Sequence, residues 1–130
     1  MSLRDRLRAR QLPSQIVTLA AADNGAAEQI QLRALPAADW EALVQLHSPS
    51  EQDAARGAAW DVHTFRPALL AASVVTDAGE DPLSEQDWAD LIAGHWMTAG
   101  EVNTLFNVAC TLNDRTPDVS LGKDSTGTPS

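Results

Sequence analysis

The stretch that determines the fold, residues 83–102, reads LSEQDWADLIAGHWMTAGEV. It contains two pairs in which a Ser or Thr is followed three residues later by an acid: Ser84 with Asp87, and Thr98 with Glu101. In such a capping box, the two side chains accept hydrogen bonds from backbone N–H groups that the first helical turn leaves unpaired. The stretch therefore predicts one helix starting near residue 85 and another near residue 99.

Each of these starts also has two apolar residues five positions apart, one just before the helix and one in its second turn. Contact between them fixes the direction in which the chain enters the helix. This spacing occurs four times, at Leu35/Trp40, Trp60/Phe65, Leu83/Trp88 and Met97/Val102. Because apolar stripes at helical spacing follow each pair, we predict four helices, starting near residues 37, 62, 85 and 99.

The second of these helices contains Pro67, which has no N–H group and clashes with the preceding turn inside a helix. Two interpretations are open: Thr64 is the N-cap, or residues 62–66 form a separate turn. Residues 69–75 are apolar almost all round, which predicts that this helix is the buried centre of the bundle.

The chain before residue 36 has strand patterns. Residues 12–19 are rich in β-branched side chains, residues 29–35 alternate apolar with polar, and Asp23-Asn24-Gly25 between them suits a turn. We predict a mainly α (α+β) fold: a β-hairpin over 12–35 and a helical bundle over 36–115, forming one globular domain. Residues 1–11 are predicted to be a basic arm or frayed helix, and the polar residues 116–130 a disordered tail.

The charge of the chain argues against several classes of partner. It has 44% hydrophobic and 21% charged residues and a net charge of −9, and residues 36–130 hold 15 acids against four bases. Such an acidic body repels phosphate, so we expect neither nucleic acid nor a membrane surface as partner. No run approaches the ~20 apolar residues of a membrane span. The Arg-rich start is not followed by the apolar segment of a signal peptide, so we expect a cytoplasmic protein.

No residue pattern predicts catalysis. The three histidines are not spaced three or four residues from one another or from Cys110, the single cysteine, which is expected to be a buried, inert thiol. We therefore expect no catalytic residue, no cofactor and no metal. The remaining enzymatic alternative is a small metal-dependent hydrolase that uses His63, His95 and the acids near Glu80.

Two features are candidate partner-binding sites. Arg4, Arg6, Arg8 and Arg10 concentrate positive charge at one end and could pair with the acidic body of a neighbouring copy, giving a head-to-tail homo-oligomer. Trp96 and Met97 lie in a short connector between two helices, where the indole either anchors a partner or packs over the helix corner.

Several segments, in this order, resemble the tail assembly chaperones of long-tailed bacteriophages, particularly those of actinobacterial phages and prophages. They are residues 35–44, 64–73, 83–92, 98–107, 112–113 and 118–123. The resemblance spans about residues 12 to 123 and consists of packing and capping motifs.

The resemblance implies a protein without enzymatic activity that works in the cytoplasm of a bacterial host. It implies binding to the tape measure protein, which is kept soluble, and help in recruiting tail tube subunits. In many such phages a ribosomal frameshift also makes a longer product. The alternative in the same setting is a structural tail completion or connector protein that stays in the virion.

Overall fold

The computed structural model describes residues 1–20, 25–117 and 119. Its elements, in chain order, are α1 (Leu3–Arg8), β1 (Ser14–Leu19), β2 (Glu28–Arg33), α2 (Ala37–Leu46), α3 (Glu51–Ala55), α4 (Val62–Ser73), β3 (Val74–Val75), α5 (Glu85–Ala93) and α6 (Ala99–Asn113). The predicted α+β class, with an N-terminal hairpin followed by helices, is confirmed. The predicted turn at residues 23–25 and the predicted disordered tail lie mostly outside the described residues.

The hairpin strands pair antiparallel with Ser14 opposite Arg33 and Leu19 opposite Glu28. β3 adds a short third strand, so that the sheet has the order β1-β2-β3. Along β2, Ile30 and Leu32 point to the same side, and Leu32 is fully buried. This alternation explains why one face of the sheet packs on helices while the other faces solvent.

All four predicted helix starts are confirmed, at residues 37, 62, 85 and 99. Both capping boxes form: Ser84 Oγ accepts from the Asp87 N–H and Thr98 Oγ1 from the Glu101 N–H, each at 3.1 Å. The acids accept in return from the N–H groups of the two cap residues, each at 2.9 Å. The local sequence therefore determines these starts, since every group that fixes them lies within four residues.

The prediction for α4 was wrong in two details. The helix is continuous through Pro67, with Asp61 as its N-cap, so neither a cap at Thr64 nor a separate turn is found. The Asp61 side chain accepts from the His63 N–H, and Trp60 stacks on Phe65 at 4.4 Å between ring centroids. These contacts stabilise the first turn of the continuous helix.

The other difference is at the end of α4. Val74 and Val75 were expected to continue the helix, but they form β3 and pair with Leu32 and Gln31 of β2. β-branched residues fit a strand well, and β2 offers an edge at which they can pair. The prediction that α4 is the buried centre is confirmed, because six of its residues are buried.

The helices form layers on one face of the sheet. α6 contacts β1, β2 and α4, while α4 also contacts α2 and α5. The core between them is apolar and includes Leu32, Phe65, Leu69, Leu70, Trp88, Leu105, Ala109 and Leu112. One link at the edge of this core is polar: the Leu35 N–H donates to Asn113 Oδ1 at 2.7 Å. This bond holds the start of α2 against the end of α6, where the candidate site lies.

Candidate partner-binding surfaces

The predicted basic arm is a short, exposed helix. Ser2 Oγ accepts from the Asp5 N–H at 3.2 Å, and the Arg6 guanidinium donates to the Met1 carbonyl at 2.8 Å. All residues of α1 are exposed, including Leu3 and Leu7. Arg4, Arg6 and Arg8 therefore lie in solvent.

Arg10 does not share that position. It lies beyond α1 and lines a groove that also contains Arg115, from the chain just after α6. Three of the four predicted arginines therefore lie on the exposed helix α1, and the fourth lies at the margin of a groove.

Trp96 is 62% exposed, although one side of its ring is packed. The ring lies against the backbone of Gly94, where an added Cβ would come within 2.6 Å of Trp96 Cε3. The imidazole of His95 lies 4.5 Å away between centroids. The indole therefore packs over the corner between α5 and α6 and also presents apolar surface to solvent, while Met97 is half-buried.

Two open grooves lie on either side of Trp40, near the start of α2 and the end of α6. Groove 1, of about 450 Å³, has apolar side chains from Leu12, Leu35, Trp40 and Leu112 and exposed charged residues Arg10, Glu41 and Arg115. Groove 2, of about 290 Å³, is lined by Trp40, Trp60, Cys110, Thr111 and Asp114. Both grooves are open to solvent. Together they form a partly apolar, partly aromatic surface with charges at its margin.

An aromatic cluster holds Trp40 in place. Its ring meets Trp60 edge-on at 6.0 Å and Phe65 edge-on at 5.7 Å between centroids. Phe65 is fully buried and also contacts Phe106 edge-on at 6.1 Å. Edge-to-face contacts of this kind orient rings as well as burying them. The wall shared by the two grooves is thus supported from behind by a rigid set of rings.

The surroundings of Cys110 in groove 2 make its thiol unreactive. Burial raises the pKa of the Cys110 thiol to about 11, and the Asp114 carboxylate adds to the increase. A higher pKa means less thiolate at neutral pH, and the thiolate is the nucleophile. Cys110 is half-buried, so the thiol is less buried than expected.

The histidines occupy separate places. His47 ends α2, and its Nδ1 lies 2.8 Å from Thr64 Oγ1. His63 is exposed in the first turn of α4, and the His95 ring lies tilted against the Trp96 ring after α5. Over residues 1–20, 25–117 and 119, no group of three or more His, Cys, Asp or Glu side chains could hold a metal ion.

The acids near residue 80 take part in local hydrogen bonds. Glu80 Oε1 accepts from the Asp77 N–H at 3.3 Å, and Asp90 Oδ1 accepts from Gln86 Nε2 at 2.9 Å. Asp87 belongs to the capping box of α5. These carboxylates stabilise a loop and a helix start.

The sequence did not identify Leu12, Arg115 or Leu112 as binding residues. Leu12 was assigned to the predicted strand over residues 12–19, whereas β1 begins at Ser14 and leaves Leu12 outside the strand. Trp40 was interpreted only as a residue that enters the core, but it is half-exposed between two grooves. That exposure depends on where α6 ends, which no local pattern specifies.

Comparison with known proteins gives no family assignment: no protein-family model, curated protein or solved structure shows a significant match to this chain. Within the described part of the chain, no helix has the length and apolar character needed to cross a membrane.

Proposed function

We propose that this protein is a tail assembly chaperone of a long-tailed bacteriophage, acting without catalysis in the cytoplasm of the bacterial host. It binds the tape measure protein, keeps it soluble and helps to recruit tail tube subunits. The observation that carries the proposal is the open apolar surface on both sides of Trp40. The family resemblance of the capping and packing motifs supplies the identity of the partner.

The shape and chemistry of grooves 1 and 2 suit an amphipathic helix. Helix-binding proteins commonly offer an open apolar groove into which side chains at i, i+3, i+4 and i+7 of the partner insert. Leu12 and Trp40 supply exposed apolar contact on such a surface, and tryptophan is among the residues that most often dominate binding energy. Arg10 and Glu41 at the margin can fix the direction of the bound helix by pairing with its charges.

The acidic body supports a solubilising role. Residues 36–130 carry 15 acids against four bases, so the surface away from the grooves is strongly negative. A protein that covers apolar helices of a partner adds this negative charge to the complex, and like charge between complexes opposes aggregation.

The test is co-expression with the tape measure protein encoded by the same phage, followed by affinity purification of the chaperone. We expect the tape measure protein to be soluble and to co-purify. Leu12→Asp, which places a charge in groove 1, should reduce recovery by about tenfold, since burying an unpaired charge costs well over 1 kcal/mol. The matched control is Leu46→Asp. Leu46 is 78% exposed and lies outside both grooves, so this variant should retain full recovery.

Two outcomes would contradict the proposal. One is a tape measure protein that stays insoluble or fails to co-purify with the unmodified chain. The other is an equal loss of recovery for both leucine variants, which would show that binding does not depend on groove 1. Mass spectrometry of purified particles adds an independent criterion: a chaperone is absent from mature virions, whereas a tail completion or connector protein is present.

A further inference from the structure

We propose that two copies of this chain associate through the free edge of β1, which pairs antiparallel with itself about a two-fold axis at Ile16 and joins the two sheets into one. Among the described residues β1 pairs with β2 alone, so it forms one edge of the sheet. None of the residues of β1 lines groove 1 or groove 2, and the inference does not depend on the tape measure protein as partner.

The hydrogen-bond register identifies which backbone groups are available. The Ala34 N–H donates to the Pro13 carbonyl at 2.9 Å, so the opposed residues 13 and 34 form a hydrogen-bonded pair. In an antiparallel ladder such pairs alternate with non-bonded ones. Residues 15, 17 and 19 therefore bond to β2, while the N–H and C=O groups of Ser14, Ile16 and Thr18 point away from it.

These outward groups are symmetric about Ile16. If a second β1 lies antiparallel with Ile16 opposite Ile16, then Ser14 of each copy lies opposite Thr18 of the other. All outward N–H and C=O groups of the three residues are then paired, giving about six inter-copy hydrogen bonds. The two Ile16 side chains, each 57% exposed in the single chain, meet on the outer face of the sheet.

The edge also lacks the features by which proteins prevent such pairing. Edge strands are usually protected by a charged residue, a proline, a bulge or a very short length. β1 has six residues, Ser-Gln-Ile-Val-Thr-Leu, and none of them is charged or proline. The pairing of β1 with β2 is continuous from residue 14 to residue 19. An open, uncharged and regular edge is what an intermolecular sheet requires.

The charges at the two ends of β1 favour a second copy of the chain as the partner at this edge. The N-terminal end of β1 is basic, because Arg10 and Arg115 outnumber Glu41 among the charged residues of groove 1, which also includes Pro13. The C-terminal end is acidic: Glu28 lies opposite Leu19, and Glu101 lines the same shallow groove as Leu19. Antiparallel self-pairing places the basic end of each copy beside the acidic end of the other, twice per dimer.

The arm adds to this contact. The arm precedes the N-terminal end of β1, which lies beside the acidic end of the partner in the antiparallel pair. A six-residue edge buries less than the roughly 1,200 Å² of a standard interface, so the electrostatic contribution of the arm makes the dimer sensitive to salt. The arginines were predicted to pair with a neighbouring copy head to tail. In the two-fold dimer each arm instead contacts the other copy, so the association stops at two copies.

The test is sedimentation velocity of the full chain over a wide concentration range. We expect a reversible dimer that weakens as salt is added. Ile16→Lys places two like charges face to face across the axis and should raise the dimer Kd by about 100-fold or more. Gln29→Lys adds the same charge to the same exposed face on the inner strand β2 and should change the Kd only slightly. Circular dichroism should show unchanged secondary structure for both variants.

Cross-linking tests the axis itself. In a Cys110→Ala background, Ile16→Cys places two thiols on residues whose Cα atoms are about 5.5 Å apart, within reach of a disulfide. Thr18→Cys is the matched control, because the two copies of that residue are roughly 14 Å apart. Oxidation should cross-link the first variant and leave the second as monomer on a denaturing gel. A chain that is monomeric at every concentration, a dimer unaffected by Ile16→Lys, or equal cross-linking of both variants would overturn the proposal.

Discussion

Phe65 is the residue on which the surface around Trp40 most depends, and its replacement gives a sharp test of the packing. The ring is fully buried and contacts Trp60, Trp40 and Phe106 at centroid distances of 4.4, 5.7 and 6.1 Å. Truncating a buried phenylalanine to alanine costs about 3–5 kcal/mol. Aromatic pairs add about 0.5–1.5 kcal/mol each beyond area burial, so Phe65→Ala should lie at the upper end of that range.

Phe106→Ala is the matched comparison. Phe106 belongs to the same ring cluster but is only half-buried, and Arg66 lies over its face at 5.7 Å. We expect a cost of about 2 kcal/mol there, because part of the ring already contacts water. Phe65→Leu, which retains most of the apolar volume and loses the ring contacts, should cost about 1–2 kcal/mol and provides a folded variant if alanine is not tolerated.

Urea unfolding followed by far-ultraviolet circular dichroism measures these differences without relying on tryptophan emission, which the mutation itself disturbs. With an m-value of about 2 kcal/mol per molar, a loss of 4 kcal/mol lowers the midpoint by about 2 M. The reasoning fails if Phe65→Ala costs less than about 2 kcal/mol, or if it costs no more than Phe106→Ala.

Four further substitutions test local features of the packing. Gly94→Ala should lower stability by about 1–3 kcal/mol and shift the indole emission, because the new methyl group overlaps the Trp96 ring. Gly100→Ala is the control: its new methyl group has no neighbour closer than 3.9 Å, so the change should be neutral or slightly stabilising. Ser73→Ala should raise the urea midpoint, since among the described residues the buried Ser73 hydroxyl has no hydrogen-bond partner, and its removal avoids a desolvation cost of about 1 kcal/mol. Cys110 should react slowly with a disulfide reagent at pH 8 and faster after urea unfolding. Because its folded pKa is raised to about 11 from 9.0, the free energy of unfolding should fall as pH rises across that interval, and Cys110→Ala should remove this contribution.

The helix starts could be predicted from sequence because the groups that form them are close together along the chain. Ser84 with Asp87, and Thr98 with Glu101, satisfy backbone N–H groups of their own first turns, and no distant residue is needed. The same holds for the stacking of Trp60 on Phe65.

The features that sequence did not predict depend on distant partners. β3 forms because β2 offers an edge to Val74 and Val75, more than forty residues away along the chain. Groove 1 lies between the start of α2 and the end of α6, which the hydrogen bond from Leu35 to Asn113 joins across 78 residues. A periodicity or a capping pattern carries no information about contacts between residues far apart in the chain, so the candidate site could not be predicted from the sequence.

The strand that carries the proposed dimer edge also leads into groove 1, since Leu12 lies four residues before Ile16. In an antiparallel pair about Ile16, the two Leu12 positions are separated by eight residues along the strand direction, or roughly 27 Å. The two-fold axis reverses the direction of one groove relative to the other, so a partner with two helical segments that run in opposite directions can occupy both grooves of a dimer. The second contact then forms at a high effective concentration. This predicts that Ile16→Lys, which leaves both grooves unchanged, weakens capture of a two-helix segment of the proposed tape measure partner but not of a peptide with a single helix. Equal weakening for the two ligands would show that Ile16 acts on the groove itself and that the two surfaces are not linked through the dimer.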